Sequence, residues 1–312
     1  MASEKPEQER MVVRNISDTA RWAAVFRAEE SERPDAMFRD PYAKELAGTL
    51  GLDIANTLPE GNNHAWAWVA RTYLFDQCLQ REIEQGTEMV VNLAAGLDAR
   101  PYRMNLPAWF QWIEIDLPEI LSYKEGILTA HRPTCQLERI RLDLSNVDAR
   151  RKLLNDLNQR AKKILVLTEG LLIYLEPAEV ATLAKDVAAC SHFQRWITDL
   201  ASPGLLRMMQ RTTGRQLSKV GASFKFAPME GPAFFQNCGW EPLQVQGLLK
   251  TAARFKRPPF FLRMLALLPE SQKPAGKRPW SGVCLLGRAD KGKLQEPDGG
   301  DLRSADSGGE LS

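Results

Sequence analysis

Three carboxylates each stand at the end of a short strand-like run, two of them largely apolar and one, residues 137–142, alternating apolar with polar residues. Asp116 follows Trp112-Ile113-Glu114-Ile115, Asp143 follows residues 137–142, and Glu169 follows residues 164–168. Ahead of them lies Val90-Val91-Asn92-Leu93-Ala94-Ala95-Gly96-Leu97-Asp98-Ala99-Arg100, an apolar run that passes into three small residues. Small residues let a backbone approach a ligand closely, and a helix starting after such a turn presents free N–H groups. Asp116 comes 20 residues after Gly96. At that spacing an acidic side chain at the next strand's end can accept hydrogen bonds from both hydroxyls of a ribose. An ionised carboxylate makes such bonds stronger than a neutral acceptor does. Asp143 could take an adenine amino group in the same manner. Each has a plainer alternative. Asp116 and Asp143 can cap the helices that follow them, and the small-residue turn can be an ordinary strand-to-helix connection. Glu169, delivered by a buried strand, needs a cation, either a ligand ammonium or an arginine of the chain itself. The full GxGxxG spacing of dinucleotide-binding turns is absent.

For these side chains to meet, the runs that carry them must be strands of one sheet. Residues 88–93, 112–115, 137–142, 164–168 and 196–200 read as strands, and helical stretches at 117–130, 147–160 and 177–190 separate the later ones. That alternation predicts an α/β fold with a parallel, Rossmann-like sheet, helices on both faces and ligands at the carboxyl ends of the strands. Residues 240–247 and 280–286 read as two final strands, for seven in all. Residues 1–85 carry no strand signal. Beyond a polar arm at 1–12 they predict helices at 17–31, about 41–50 and 62–85, forming a helical N-terminal lid, with Ser17 or Asp18 as a cap. Residues 203–236 break the rhythm: Met208, Met209, Phe224, Phe226, Phe234 and Phe235 sit among glycines and basic residues. They are either an inserted cap over the site or a helix pair packed on the sheet. The α/β domain is thus expected over 86–288, and residues 289–312, nearly devoid of large apolar side chains, as a disordered tail.

Bulk properties narrow the classes. The 312 residues include 44% hydrophobic and 26% charged side chains, an ordinary globular composition that needs neither metal nor disulfide to hold a core. Lysine plus arginine number 41 against 39 acidic residues, which gives no reason to expect nucleic acid or an anionic membrane as a partner. Five scattered cysteines without a CxxC pair argue against a disulfide framework or a structural zinc site. The first ten residues are polar, with no apolar core of a signal peptide, and no run reaches membrane-spanning length. A cytoplasmic protein is expected.

Over residues 14–288 the sequence resembles the leucine carboxyl methyltransferase family, which includes the protein phosphatase methyltransferase, polyketide O-methyltransferases and many bacterial enzymes. The likeness rests on Phe38-Arg39-Asp40-Pro41-Tyr42-Ala43, Ala70-Arg71-Thr72-Tyr73, the run from Asn92 to Arg100, Glu114-Ile115-Asp116-Leu117-Pro118, Asp143-Leu144 and Thr168-Glu169-Gly170-Leu171-Leu172-Ile173-Tyr174-Leu175. It implies a seven-stranded methyltransferase sheet and S-adenosyl-L-methionine as cofactor. By the same resemblance, Arg71, and less securely Arg27, would hold the cofactor's carboxylate, and Gly96 would face its methionine moiety. Asp116 would bind the ribose, Asp143 with Leu144 the adenine, and Glu169 would sit by the amino-acid end. Ala94 and Leu117 would complete the cofactor site, while Asp98 and Arg100 look like internal supports of the turn. The family usually has glycine where Ala94 stands, and alanine serves there provided the position does not require a positive φ.

The implied reaction is O-methylation. A carboxylate acceptor arrives ionised and needs no general base, whereas a phenol or alcohol needs one. Glu169 and Tyr174 are the catalytic candidates, Tyr174 as part of the acceptor pocket. His64 and His192 are possible bases, although a lone histidine is more often structural. Trp66, Trp68 and the Phe/Met cluster suggest an apolar acceptor pocket, with core packing as the rival explanation. A small-molecule acceptor is the expectation. A protein C-terminus, a silent cofactor-binding protein and, more remotely, a nicotinamide-dependent oxidoreductase are the alternatives.

Overall fold

The computed structural model describes Val13 and residues 17–57, 64–218, 221–268 and 278–289. The expected arm at 1–12 and all but the first residue of the expected tail lie outside the described residues. Among those described, seven strands form one sheet: β1 (Met89–Leu93), β2 (Gln111–Asp116), β3 (Gln136–Arg141), β4 (Ile164–Thr168), β5 (Phe193–Ala201), β6 (Trp240–Gly247) and β7 (Ser281–Arg288). Their order is β3-β2-β1-β4-β5-β7-β6. The helices are α1 (Asp18–Ser31), α2 (Ala43–Thr57), α3 (Ala65–Glu84), α4 (Arg100–Arg103), α5 (Pro118–Leu128), α6 (Val147–Asn158), α7 (Pro177–Ala189), α8 (Pro203–Arg211), α9 (Gly214–Ser218), α10 (Leu248–Arg254) and α11 (Phe260–Leu265).

Strands β1 to β5 pair in parallel, but β7 runs antiparallel to both β5 and β6. The sheet is therefore mixed, not parallel throughout. The cause lies in the connection. Gly247 at the end of β6 and Ala201 at the end of β5 face Gly282 and Ser281 at the start of β7, so the chain re-enters the sheet at the edge it has just left. Alternation of strand and helix patterns carries no information about such a return.

Side chains alternate between the two faces of the sheet, as the pleat requires. Met89, Val91, Ile113, Ile115 and Val166 pack with α6 and α7 through Leu154, Leu157, Val180 and Val187. Val90, Trp112, Leu165, Leu167 and Ile197 pack on the other face with Ala70, Leu74, Phe75 and Leu79 of α3. Burial on both faces explains why β1 and β4 read as continuous apolar runs. Helix starts follow local chemistry. Pro118, Pro177 and Pro203 occupy the first turns of α5, α7 and α8, the Asn146 side chain accepts from the Ala149 N–H, and Glu176 with Glu179 forms a capping box. Ser17 precedes α1 without a side-chain capping bond.

Helices α1 and α2 pack on each other through Trp22, Val25, Leu46 and Ile54, in a cluster that also takes Leu217 and Phe224. Among the described residues of 203–236, α8 and α9 are followed by a stretch at 222–228 without regular secondary structure and a 3-10 turn at Gly231–Cys238. Their aromatic residues divide accordingly. Phe235 packs edge-on against Trp196 in the core beneath β5, whereas Phe224 lies 5.5 Å from Tyr174, centroid to centroid.

Candidate active site

The chain moves outward from β1 through β2 to β3, then crosses back to place β4 on β1's other side. At such a switch point the two neighbouring connections leave in opposite directions and open a crevice at the carboxyl ends of the strands. A cavity of about 1010 Å³ lies there. All ten residues expected at the site line it: Arg27, Arg71, Ala94, Gly96, Asp116, Leu117, Asp143, Leu144, Glu169 and Tyr174. With Asn92 of β1 and Asp199 of β5, which also line it, five adjacent strand ends deliver polar groups to one cavity. His64 also lines it, but His192 does not; its ring and backbone nitrogens meet the main-chain and side-chain oxygens of Asn158, a structural role.

The turn after β1 is tightly specified. Gly96 has a φ of 48°, and a Cβ placed there would stand 3.2 Å from the Ala20 methyl of α1, so the residue meets both a conformational and a spatial limit. Ala94 has a φ of 54°. The condition under which alanine would be a free substitute is therefore not met: this position does lie in the left-handed region, at a cost of roughly 1–2 kcal/mol for a residue with a Cβ. Asp116 holds the turn from the next strand. Its two carboxylate oxygens accept the N–H groups of Gly96 at 2.6 Å and Leu117 at 2.7 Å. Burial pushes the Asp116 carboxyl above its ordinary value of 3.8 despite those two bonds and the nearby Lys124. Lys124 is itself buried in an ion pair with Glu114 at 2.7 Å, and Arg139 meets the other Glu114 oxygen at 2.8 Å.

Behind the turn lies a lattice of arginines and carboxylates. Asp98 accepts from the Asn92 amide and from both the backbone and guanidinium of Arg100. Burial opposes its charge, but Arg100, Lys124 and Arg103 outweigh that and hold its carboxyl down to about 2. Arg100 continues to Asp76 at 2.6 Å and to Glu169 at 2.8 Å, and Arg103 binds Asp76 as well. Asp98 and Arg100 are thus the internal supports that the sequence suggested. Glu169 has its cations within the chain, Arg71 at 3.2 Å and Arg100 at 2.8 Å. This partly buried acid is paired with arginine because α3 and α4 both turn a guanidinium toward the end of β4. Arg71 also meets Asp199 at 3.3 Å and lies 4.7 Å from the Trp68 ring centroid. Burial works against the Arg71 charge, and Asp199 and Glu169 more than restore it. Arg27 reaches Asp40 at 2.9 Å and the Leu97 carbonyl at 2.7 Å, which ties α1 to the turn.

Two residues were not singled out from the sequence. Asp199 accepts the Gly170 N–H at 2.7 Å as well as Arg71, and Asp76 anchors Arg100 and Arg103. A signal existed for Asp199, since it also stands near the end of an apolar strand; Asp76 is hidden in a helix. Gly170, with a φ of 71°, leaves room for the Arg71 guanidinium, which a Cβ would approach to 3.1 Å.

Part of the cavity's lining is apolar. Trp66, Leu205, Met208, Met209, Phe224 and Trp280 contribute to its wall, together with Tyr174. The Tyr174 hydroxyl is pushed above its ordinary value by burial, against the opposing effects of Thr19 and Arg71. Of the expected Phe/Met cluster, Met208, Met209, Phe224 and Phe226 reach the cavity, while Phe234 and Phe235 belong to the core.

The model of the leucine carboxyl methyltransferase family matches residues 20–188, more than half of the chain. The chain belongs to that family. A provisionally named S-adenosyl-L-methionine-dependent methyltransferase from Frankia alni is 30% identical over 263 residues, which cover 77% of this chain and 88% of the relative. Another from a Parafrankia species is 29% identical over 266 residues, covering 78% and 82%. The crystal structure of a provisionally named methyltransferase from Thermobifida fusca superposes with a TM-score of 0.53 at 14% identity, covering 93% of this chain and all of that one, and so supports the fold. This methyltransferase therefore depends on S-adenosyl-L-methionine, and the cavity's donor set suits that group: a buried carboxylate beside a small-residue turn, and paired charges of both signs at the end of β4.

Proposed function

We propose that this methyltransferase acts on an oxygen, carboxylate or hydroxyl, of a small apolar molecule. One observation carries the proposal: a single cavity extends from Gly96 and Asp116 to a wall of Leu205, Met208, Met209, Phe224 and Trp280. A protein C-terminus presents a polar backbone, and such a wall offers it few partners.

In this proposal Asp116 accepts hydrogen bonds from the cofactor's ribose, Asp143 and Leu144 border the adenine, and Ala94, Gly96 and Leu117 form the floor. Arg71 and Glu169 offer an amino-acid zwitterion one partner of each sign, with Arg27 supporting the turn from behind. The cofactor supplies a methyl group already activated on a sulfonium; the chain has to align an acceptor oxygen with it and exclude water. Positioning of this kind supplies several kcal/mol, up to about 7–11 in well-oriented systems. Tyr174, its hydroxyl held protonated by burial, is suited to donate a hydrogen bond to the acceptor and unsuited to remove a proton. That favours an acceptor that arrives ionised.

The test is transfer of a labelled methyl group to a panel of apolar carboxylic acids and phenols, beside a peptide with a free C-terminus. Transfer to members of the first set is expected. Transfer to the peptide alone would move the chain to the protein-modifying members of its family. Tight cofactor binding with no transfer to any acceptor would make it a silent binder.

A further inference from the structure

The described part of the chain leaves one large apolar surface uncovered, and it stands at the mouth of the cavity. Phe260, Phe261, Met264, Leu265, Leu267 and Leu268 are each more than half exposed, although all lie within nine residues. Single exposed apolar side chains are ordinary, whereas a contiguous cluster marks a contact surface. Phe261 and Leu265 also line the cavity, as do Leu205 and Met208 of α8, so the cluster is continuous with the proposed acceptor site.

Charge identifies what this face would meet. Residues 242–269 hold five lysines and arginines and no acidic residue, and residues 200–229 likewise hold five and none; of these, Arg257 is paired with Glu30 and Asp35, and Lys225 with Glu176. The near balance of 41 basic against 39 acidic residues over the whole chain conceals this local excess. Lys250, Arg254, Lys256, Arg207 and Arg211 are exposed around the apolar cluster, and the Arg263 guanidinium lies 5.4 Å from the Phe260 ring centroid. Large apolar side chains rimmed by cations are the composition of segments that lie in the interface of an anionic bilayer. A globular protein partner would have to be both apolar and acidic to match; a bilayer with anionic headgroups is so by construction. No helix among the described residues is long and apolar enough to cross a membrane, so the contact would be peripheral.

We propose that the face formed by α11, the residues just after it and α8 docks on the surface of an anionic lipid bilayer. The expectation of no membrane partner, drawn from net charge alone, is thereby replaced. An apolar acceptor, as proposed above, gives the docking its use: it would pass from the bilayer into the cavity between α8 and α11. Vesicle binding needs no acceptor and reports on the face alone.

The experiment is flotation of the full chain with phosphatidylcholine vesicles that contain or lack phosphatidylglycerol, at low and high salt. Binding to the anionic vesicles, weakened by salt, is expected. The double variants Phe260→Ser with Leu268→Ser, and Lys250→Glu with Arg254→Glu, alter residues outside the cavity. Each should weaken vesicle binding by about tenfold or more, while affinity for S-adenosyl-L-methionine, measured by calorimetry, stays unchanged and verifies the fold. Absence of vesicle binding, equal binding to neutral and anionic vesicles, or indifference to both variants overturns the proposal. So does a concentration-dependent dimer that the same variants abolish, since the face would then belong to a second copy. Failure to methylate any small acceptor would overturn the function proposed above and leave the docking standing.

Discussion

Replacing Asp116 separates its structural duty from its proposed duty toward the cofactor. Its two oxygens already accept the N–H groups of Gly96 and Leu117, and each keeps lone pairs for a further donor. A hydrogen bond to a charged group contributes about 1.5–3 kcal/mol net, so two ribose hydroxyls together would be worth about 3–6 kcal/mol. Asp116→Ala should therefore weaken S-adenosyl-L-methionine binding by roughly a hundredfold to ten-thousandfold. Asp116→Asn keeps one acceptor oxygen and should lose less. Stability should move little by comparison, because two effects oppose. Burial raises the carboxyl above its ordinary value of 3.8, so the charged form strains the folded state. That contribution to stability is full below 3.8 and is lost as the pH rises through the raised value, and removing the carboxyl at neutral pH relieves it. Against this, Ala strands two backbone N–H groups, at about 1–3 kcal/mol each when buried, less where water enters the cavity. Calorimetric titration with S-adenosyl-L-methionine and its demethylated product, beside thermal unfolding, measures both quantities. Wild-type affinity should also fall as the pH drops through the raised value, since the neutral acid is a poorer acceptor. An Asp116→Ala protein that unfolds normally and binds within about threefold of wild type would falsify the ribose assignment.

Ala94→Gly should stabilise the fold by up to about 1 kcal/mol, the left-handed strain relieved at φ 54° exceeding the added freedom of the unfolded chain; a urea titration in which it destabilises would show that the turn bears no such strain. Asp98 is held down to about 2 from an ordinary 3.8, so it contributes about 2 kcal/mol that is present above 3.8 and lost as the pH falls through 2. Asp98→Asn should cost about that much at neutral pH and far less near pH 2, and a gap independent of pH would refute the charge-based account. Glu169→Gln leaves Arg71 with Asp199 and Arg100 with Asp76 and Asp98, and should cost about 1–3 kcal/mol of stability together with a loss of methyl transfer. Turnover at the wild-type rate would remove Glu169 from the site.

Much of the site was legible because the pleat and the switch point leave few choices. A five-residue apolar run such as residues 164–168 between helical patterns reads as a buried strand, its last residues emerge at the carboxyl edge, and Asp116 and Asp143 stand likewise at the ends of β2 and of the alternating, more exposed β3. What could not be read depends on partners far apart in sequence. Arg71 lies 98 residues before Glu169, and the two meet only because of how α3 crosses the sheet. Asp76 looks like any polar position on α3 until α4 brings Arg100 and Arg103 against it. The direction of β7 was likewise invisible, since an eight-residue apolar strand pairs equally well either way and the returning chain decides. The Phe/Met cluster failed as a unit for a simpler reason. Helix α9 and the 3-10 turn split residues 203–236, so Phe235 follows β6 into the core while Met208 and Phe224 stay with the cavity.

The strained alanine and the charge lattice are parts of one construction. Ala95 donates its N–H to the Ile115 carbonyl, Gly96 to Asp116, and the Leu97 carbonyl accepts from Arg27, while Asn92 and Arg100 fix Asp98. Ala95 and Gly96 are thus anchored to β2, Leu97 to α1 and Asp98 to β1 and α4, and a turn so over-determined can hold Ala94 in a conformation it would not choose. Met208, Met209, Phe224 and α11 line the same cavity with apolar side chains, whose contacts are not directional. A rigid turn and an adaptable apolar lining suit a cofactor that is always the same and an acceptor that need only be apolar. The arginines reinforce the division. Those at the cavity's polar end are each paired with a carboxylate, so they shape the turn without adding positive charge where a sulfonium would lie. Of the lysines and arginines in the stretches that carry α8 and α11, Arg257 and Lys225 are paired with Glu30 and Glu176, whereas Arg207, Arg211, Lys250, Arg254 and Lys256 are exposed, on the segments that also supply Met208 and Phe261 to the cavity.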